Sequence, residues 1–331
     1  MEHNNIIQHE TVLSDDSHIQ NRQTDSTSRS FIEANTVVST VEEIRQRHMI
    51  PVFIKDNEPL ISHSDFIQAM HSIAGDVFSG EQILSPAVRV SHPVKGRIPE
   101  AKDKSANQLS ESEKTLYYER MAFIIELPGI SEVIDGNQLT LTVGGVKSYN
   151  MDNLYSRSIC EQHFKLFIGF QNKVCTNLCV WTDGAMLDVK VKSLAQLKAC
   201  IYTLLQGYQQ NYHLHHLQQL SRYSITERQF ANLLGRCRMY HHLSSAMKSD
   251  IPSLHFNDTQ VNSVCRDFYS DKSFCRDADG NINLWRLYNL FTGANKSSYI
   301  DQYVERSVNA YNLVEHIKSS LDQRAQSRYL N

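Results

Sequence analysis

The spacing of hydrophobic positions changes character twice along the chain and divides it into three parts. Residues 1–36 show little apolar periodicity and are rich in Ser, Thr, Asn, Gln, Asp and His, a composition that buries too little surface to offset chain entropy. They are read as a disordered acidic arm, with a partner-binding arm as the functional alternative. Order is expected from about Val37. In "STVEEIRQRHM", Thr40 and Glu43 have the spacing of a capping box. Ile50–Ile54 is expected to be a short strand. Ser64 is expected to cap a helix in which Phe66, Met70, Ile73, Ala74 and Val77 recur at helical spacing. "PAVRVSH" alternates like a strand, and the polar residues 95–115 predict an exposed loop.

From Leu116 to Lys192 the pattern is that of antiparallel sheet. "YYERMAFIIEL", "NQLTLTVGGVKSYN", "HFKLFIGFQNKVCTNLCVW" and "AMLDVKV" are strand-like, with turns expected at Asp135-Gly136, Gln171-Asn172 and Asp183-Gly184. After Ser193 the period becomes helical. Leu194, Leu197, Ile201, Leu204 and Leu205 mark one helix, Ser224 and Glu227 a capping box before another, and Pro252 and Asp258 bracket a third start. A short helix is expected over Asn281–Phe291 and a long one from about Ser298 to Ser320. The predicted fold class is α+β: a mostly antiparallel sheet over about 50–192, then a helical half over about 193–321. The expected division is 1–36, 37–192 and 193–331, the last two packed as one domain.

Composition narrows the class of protein without naming an activity. The 331 residues are 41% hydrophobic and 21% charged, normal for a globular chain with a real core. No apolar run approaches the roughly 18 residues of a membrane span, and the first residues lack the basic and apolar regions of a secretory signal. Seven cysteines, an odd number with no CxxC pair, suggest buried free thiols in a reducing compartment. The expectation is a cytoplasmic protein with no membrane association. The net charge is −3; residues 1–36 carry −4 of it, leaving +1 for the rest. Any nucleic-acid binding would need a local basic patch.

Several motifs imitate known chemistry and fail on their requirements. Gly293-Ala294-Asn295-Lys296-Ser297-Ser298 resembles the end of a phosphate-binding loop, but Asn295 stands where the glycine before the lysine belongs, the first glycine is missing too, and the preceding segment is helical. The reading is a helix–turn–helix joint, with Gly293 as a glycine-favoured C-cap and Ser297 or Ser298 as the next N-cap. Lys296 would lie near that helix's positive end, where it could touch a phosphate. "RDADGNINLW" imitates a calcium loop, yet Cys275 and Arg286 occupy positions that require carboxylates. Cys175, Cys179, Cys237 and His241 could be zinc ligands only if the strand through Cys175 and Cys179 were broken. No metal and no cofactor are expected.

The strongest lead is Arg222 to Lys248. Phe230, Leu233, Leu234 and Cys237 form a core stripe, while Arg228, Asn232, Arg236 and Met239 occupy another face. Arg222 and Arg238 add charge, and Tyr223 and Tyr240 lie near the ends. Cations among aromatics suit phosphate contact and base stacking; a solvated basic face gives the same pattern.

At "GGVKSYNMDNL", "HFKLFIGFQNKVCTNLCVWTDG", "ERQFANLLGRCRMYHHL" and "LWRLYNLFTGANKSSYIDQYVERSVNAY" the chain resembles a domain-of-unknown-function family of bacterial mobile genetic elements. Its "VCTNLCVWTDG" is also distantly similar to a phage- and plasmid-like family with a "VCxNG"-type segment, with Leu178 in place of the glycine. The resemblance implies a phage, plasmid or conjugative-element setting and carries over no catalytic residue. The leading expectation is a non-enzymatic nucleic-acid-binding accessory protein. Arg222, Arg228, Arg236, Arg238 and Lys296 would contact phosphates of single-stranded DNA, and Tyr223 and Tyr240 would stack on bases. The alternatives are a module engaging a host or element-encoded protein, and an unfamiliar enzyme centred on Asp183 and the histidine-rich helix end. Self-association is left open.

Overall fold

The computed structural model describes residues 30–49, 60–152, 161–173, 175–180, 186–248, 251–323 and 327–330. Most of the acidic arm, the strand expected at Ile50–Ile54 and the turn expected at Asp183-Gly184 lie outside them. The arm's final residues are packed: Phe31 and Ile32 are buried, and the backbone N–H groups of Glu33 and Ala34 both donate to the Lys296 carbonyl.

Strand β1 (Thr36–Ser39) is followed by helix α1 (Val41–Arg47), where Thr40 caps by accepting from the Glu43 backbone N–H. Helix α2 (His63–Val77) begins two residues earlier than the hydrophobic spacing suggested. Its cap is Ser62 rather than Ser64, because Ser62 and Asp65 close a reciprocal capping box. Strand β2 (Ala87–Ser91) follows. The segment expected to be a plain loop is a small ribbon, β3 (Val94–Arg97) with β4 (Lys114–Tyr117), joined through short 3-10 turns.

The main sheet continues with β5 (Arg120–Ile134), β6 (Asn137–Ser148), β7 (Gln162–Asn172), β8 (Leu178–Val180) and β9 (Met186–Val191). All its pairings are antiparallel, in the order β1-β2-β5-β6-β7, with β8 and β9 both pairing with β7 at different heights. Asp135 (φ 49°) and Gly136 (φ 74°) form the expected tight turn between β5 and β6, both with the positive φ that a primed hairpin turn needs. The next turn falls later than expected. Strand β7 runs through Asn172, and the reversal occupies the residues up to Asn177, with Thr176 at φ 56°. Cys175 is therefore in a turn and not in a strand.

Strand β6 is buried along nearly its whole length, because both faces of the sheet are covered. On one face the Phe66 ring of α2 meets Phe123 and Phe164 edge-on, at 5.0 and 4.9 Å between centroids. On the other, Lys165 reaches across to Asp301 and Glu305. The glycines of β6 allow this close approach: a Cβ on Gly145 would collide with the Phe66 ring, and one on Gly144 with the Phe123 carbonyl.

The helical half comprises α3 (Leu194–Gly207), α4 (Gln210–Leu220), α5 (Glu227–Tyr240), α6 (Ser245–Lys248), α7 (Asp258–Ser270), α8 (Leu284–Asn295) and α9 (Ile300–Asp322). Ser224 is not a cap. It sits in strand β10 (Ser224–Ile225), paired with β11 (Ile282–Asn283), and Thr226 with Gln229 caps α5 instead. The fold is thus α+β, with sheet in the first half and helices after it. One continuous core runs from the sheet into the helices.

Gly293 does not end a helix. Helix α8 continues through it to Asn295, whose buried side-chain amide donates to the Tyr303 carbonyl and the Ser307 hydroxyl; the C-cap is Lys296 in a right-handed conformation. Helix α9 has Tyr299 as its N-cap, with no side-chain cap bond from Ser297 or Ser298. A Cβ on Gly293 would meet only the Asn177 amide at ordinary contact distance, 3.7 Å. Gly293→Ala is therefore expected to be neutral or to stabilise by up to about 1 kcal/mol, as for a compatible helical glycine. Gly145→Ala should cost about 1–3 kcal/mol through overpacking. Urea midpoints of the two variants check both, and a Gly293→Ala loss as large as that of Gly145→Ala would contradict this packing.

Candidate functional site

Helix α5 carries the residues singled out by their charge. Phe230, Leu233, Leu234, Cys237 and Tyr240 are buried, and burial pushes the Cys237 thiol up to about 12. That stripe fixes the opposite face to solvent. Arg228, Arg236 and Arg238 are exposed along it, and exposed Arg222 precedes it on the turn after α4. Arg238 reaches the Asn262 side chain at 3.3 Å. The helix is tied down at several points. Asn232 donates to the Leu330 carbonyl, Phe230 stacks on Phe268 at 3.9 Å, and Glu227 pairs with Arg276 at 3.0 Å.

The other expected contact residues are placed differently. Lys296 is only 8% exposed; its ammonium donates to the Cys175 carbonyl and, at 3.0 Å, to the Thr176 hydroxyl. It holds the β7–β8 turn against the end of α8, so it is a structural lysine away from the α5 face. Tyr240 is 9% exposed, with the Lys248 ammonium 5.1 Å from its ring centroid. Tyr223 is half-buried; its hydroxyl bonds Asp322, and the Lys318 ammonium lies 5.4 Å from its ring. The four arginines are exposed on α5 and the turn before it, whereas Tyr240 is buried and Tyr223 half-buried.

Next to Arg236 lies a feature that charge counting overlooked. A cleft of about 70 Å³ opens between the end of α5, the α6 region and the C-terminal tail. Met239, Leu243, Met247, Ile251 and Tyr329 line it, and Arg236 and Arg328 stand at its edge. Met239 is 54% exposed and Met247 52%. Met239, Leu243, Met247 and Ile251 recur every fourth residue but span a helix end, a turn and the short α6 rather than one helix, and Tyr329 comes from the distant tail.

A second unforeseen group is the buried polar cluster under α1 and α2. The Tyr118 backbone N–H donates to His48 Nδ1 at 3.0 Å, and His63 Nε2 donates to the Tyr118 carbonyl at 2.9 Å. One residue thereby fixes both tautomers: the proton sits on Nε2 in each ring. The rings stack at 4.8 Å, and Tyr149 lies 4.7 Å from His63. Beside them Lys147 pairs with Asp152, both side chains fully buried, and the ammonium sits 4.2 Å from the Phe164 ring centroid and 5.0 Å from that of Tyr149. Burial lowers Lys147 to about 8 against the opposing pull of Asp152. Burial also lowers His48 to about 4 and takes His63 well below its usual value, with the neighbouring His48 and Lys147 adding to the His63 shift. His63, Tyr149, Lys147 and Asp152 are buried and His48 is half-buried; the arrangement is a polar staple between helices and sheet. None of these residues is singled out by the sequence.

Cys175, Cys200, Cys237, Cys265 and Cys275 are free thiols, and among the described residues no three His, Cys, Asp or Glu side chains converge as a metal site would require. The break in the strand at Cys175 removes the spacing argument against zinc, but Cys237 is committed to the core under α5. Among the described residues no helix is long and apolar enough to cross a membrane. Asp183 lies outside the described residues.

A family model described as "Domain of unknown function, B. Theta Gene description (DUF3871)" matches residues 12–329. The chain belongs to this family. The DUF3871 domain thus takes in the sheet, the helical half, the cleft and the acidic stretch from Val12 onward. Comparison with curated proteins gives no match, and comparison with solved structures gives none either.

The histidine staple sets a pH dependence. Each ring binds a proton less readily in the fold than in the unfolded chain, where imidazole titrates near 6.5. Their contribution is therefore complete above about pH 6.5 and is lost as the pH falls toward 4. The slope reaches about 1.4 kcal/mol per pH unit for each histidine. Urea denaturation between pH 7 and 4.5 should show this fall, and His63→Gln, which retains a donor for the Tyr118 carbonyl, should flatten it. An equal slope in the variant would show that His63 is not held neutral.

Proposed function

We propose that this protein is a non-enzymatic binding protein that contacts single-stranded nucleic acid through the arginines of α5. The observation that carries the reading is the exposed positive charge on and beside an anchored helix: Arg228, Arg236 and Arg238 are exposed on α5, and Arg222 is exposed on the turn before it. Guanidinium groups held on an anchored helix suit phosphate oxygens, and such cations release condensed counterions on binding. With Tyr240 buried and Tyr223 bonded to Asp322, base stacking is a minor part, so binding is sequence-tolerant and phosphate-dominated. The chain's overall charge of −3 confines the interaction to this face. An accessory role in replication, recombination or defence evasion of a phage, plasmid or conjugative element fits such an activity.

A second reading is a protein partner, and the methionine-lined cleft beside Arg236 favours it. Flexible thioethers adapt to varied apolar ligands, and the flanking arginines would select acidic ones. Salt separates the two, because apolar docking responds weakly to ionic strength whereas phosphate contact responds steeply.

Titration of a labelled oligo-dT over a range of salt tests the first reading. Arg228→Ala with Arg238→Ala should weaken binding and lower the salt slope by about 1.4, at roughly 0.7 per phosphate contact on single strands. Thermal stability should be unchanged, since both side chains are exposed. An unaltered affinity and slope would remove α5 from the interface.

A further inference from the structure

Tyr269, on α7, has the setting of a stacking surface that α5 itself lacks. The residue is 53% exposed, yet its ring is fixed from several directions. Its hydroxyl donates to the Glu227 carboxylate at 2.7 Å, the Arg276 guanidinium lies 5.0 Å from the ring centroid, and the Phe268 ring meets it edge-on at 4.9 Å. A ring held this way loses little further freedom when a flat ligand covers its open part. Glu227 brings no unanswered negative charge to the place, because Arg276 pairs with it at 3.0 Å.

The ring stands beside cations that are not committed elsewhere. Glu227 opens α5, and Arg228 follows it directly. Arg228, Ala231, Gly235 and Arg238 fall at i, i+3, i+7 and i+10, so they share one face of the helix, and all four are exposed. The two small residues leave the surface between the arginines low; a Cβ added at Gly235 meets nothing within 4 Å. The Phe230–Phe268 stack and the Arg238–Asn262 bond set α5 and α7 antiparallel. Asn262 and Tyr269 lie seven residues apart on one face of α7, about 10 Å along its axis. Arg238 and Tyr269 therefore flank the same seam between the two helices. Neither Arg228 nor Arg238 is in an ion pair among the described residues, and the bond to the neutral Asn262 occupies one N–H donor of Arg238 and leaves its others. Arg266 is not part of this set, since Asp267 holds it at 2.8 and 3.1 Å.

We propose that Tyr269 is the stacking platform for one base of a bound single strand whose neighbouring phosphates lie on Arg228 and Arg238. The proposal deepens the nucleic-acid reading and rests on it. Every base has a π face, so one stacked base leaves the binding sequence-tolerant and dominated by phosphate contact. It adds a preference for unpaired nucleotides, because a base inside a duplex is already stacked on its neighbours.

The test titrates the full chain with oligo-dT and with an abasic strand of equal length and charge. Wild type should bind oligo-dT about tenfold more tightly than the abasic strand. Tyr269→Leu should bind both strands as wild type binds the abasic one, and Tyr269→Phe, which keeps the ring, should keep the preference. The salt slope should be the same in all three proteins, because stacking releases no counterions. Equal binding of the two strands by wild type, or a preference that survives Tyr269→Leu, would overturn the stacking and leave phosphate contact at α5 standing. A preference lost equally in Tyr269→Phe would assign it to the hydroxyl and overturn the platform, as would a lower salt slope in Tyr269→Leu. Binding of neither strand by wild type would remove the nucleic-acid reading, and the platform with it.

Discussion

Helix α8 has almost no solvent face, and much of the fold follows from that constraint. Leu284, Trp285, Leu287, Tyr288, Leu290 and Phe291 are buried, and so are its polar residues Asn289, Thr292 and Asn295. A buried amide left without partners costs about 1–3 kcal/mol, so the surroundings must answer each one. The β7–β8 turn does much of this. Asn172 donates to the Asn289 side-chain oxygen at 3.1 Å, and Asn177 donates to the Asn289 carbonyl at 2.8 Å. Lys296, one residue past the helix, grips the same turn from the other side. Sheet and helices are thereby joined by directed polar bonds as well as by packing.

This junction determines what the surface can offer. The lysine that resembled a phosphate ligand is used in holding the turn, and the glycine before it lies within the helix that the turn supports. Charge for a partner must come from elsewhere, and α5 supplies it because its apolar stripe packs against α7 while its arginines face outward. The Lys147–Asp152 and His48–His63 groups play a comparable part under α2. They hold three titratable side chains, His63, Lys147 and Asp152, out of solvent and His48 half-buried.

Legibility in the sequence followed the range of the interactions. Strand alternation and the Asp135-Gly136 turn report local chemistry, and both were readable; so was the core stripe of α5. Caps were misplaced by two residues at Ser64 and Ser224, because serine spacing alone does not say which residue leaves the helix. Ser224 is held extended by pairing with Asn283, nearly sixty residues later. The roles of Lys296, Tyr223 and Tyr240 depend on partners far along the chain. Exposure of a cation or an aromatic is a tertiary property, which composition does not contain. The histidine staple was hidden for the same reason: Tyr118 joins His48 and His63 from the link between β4 and β5, far along the chain from both.

The central claim is that α8 and the β7–β8 turn make the sheet and the helical half one cooperative unit. Native-state hydrogen exchange, followed by mass spectrometry in the wild type and in Asn289→Ala, measures this directly. Slowly exchanging amides of β6, β7, α8 and α9 should share one opening free energy, and the variant should lower it for all of them together. Two distinct opening free energies, one for the strands and one for the helices, with Asn289→Ala lowering only the second, would contradict the account.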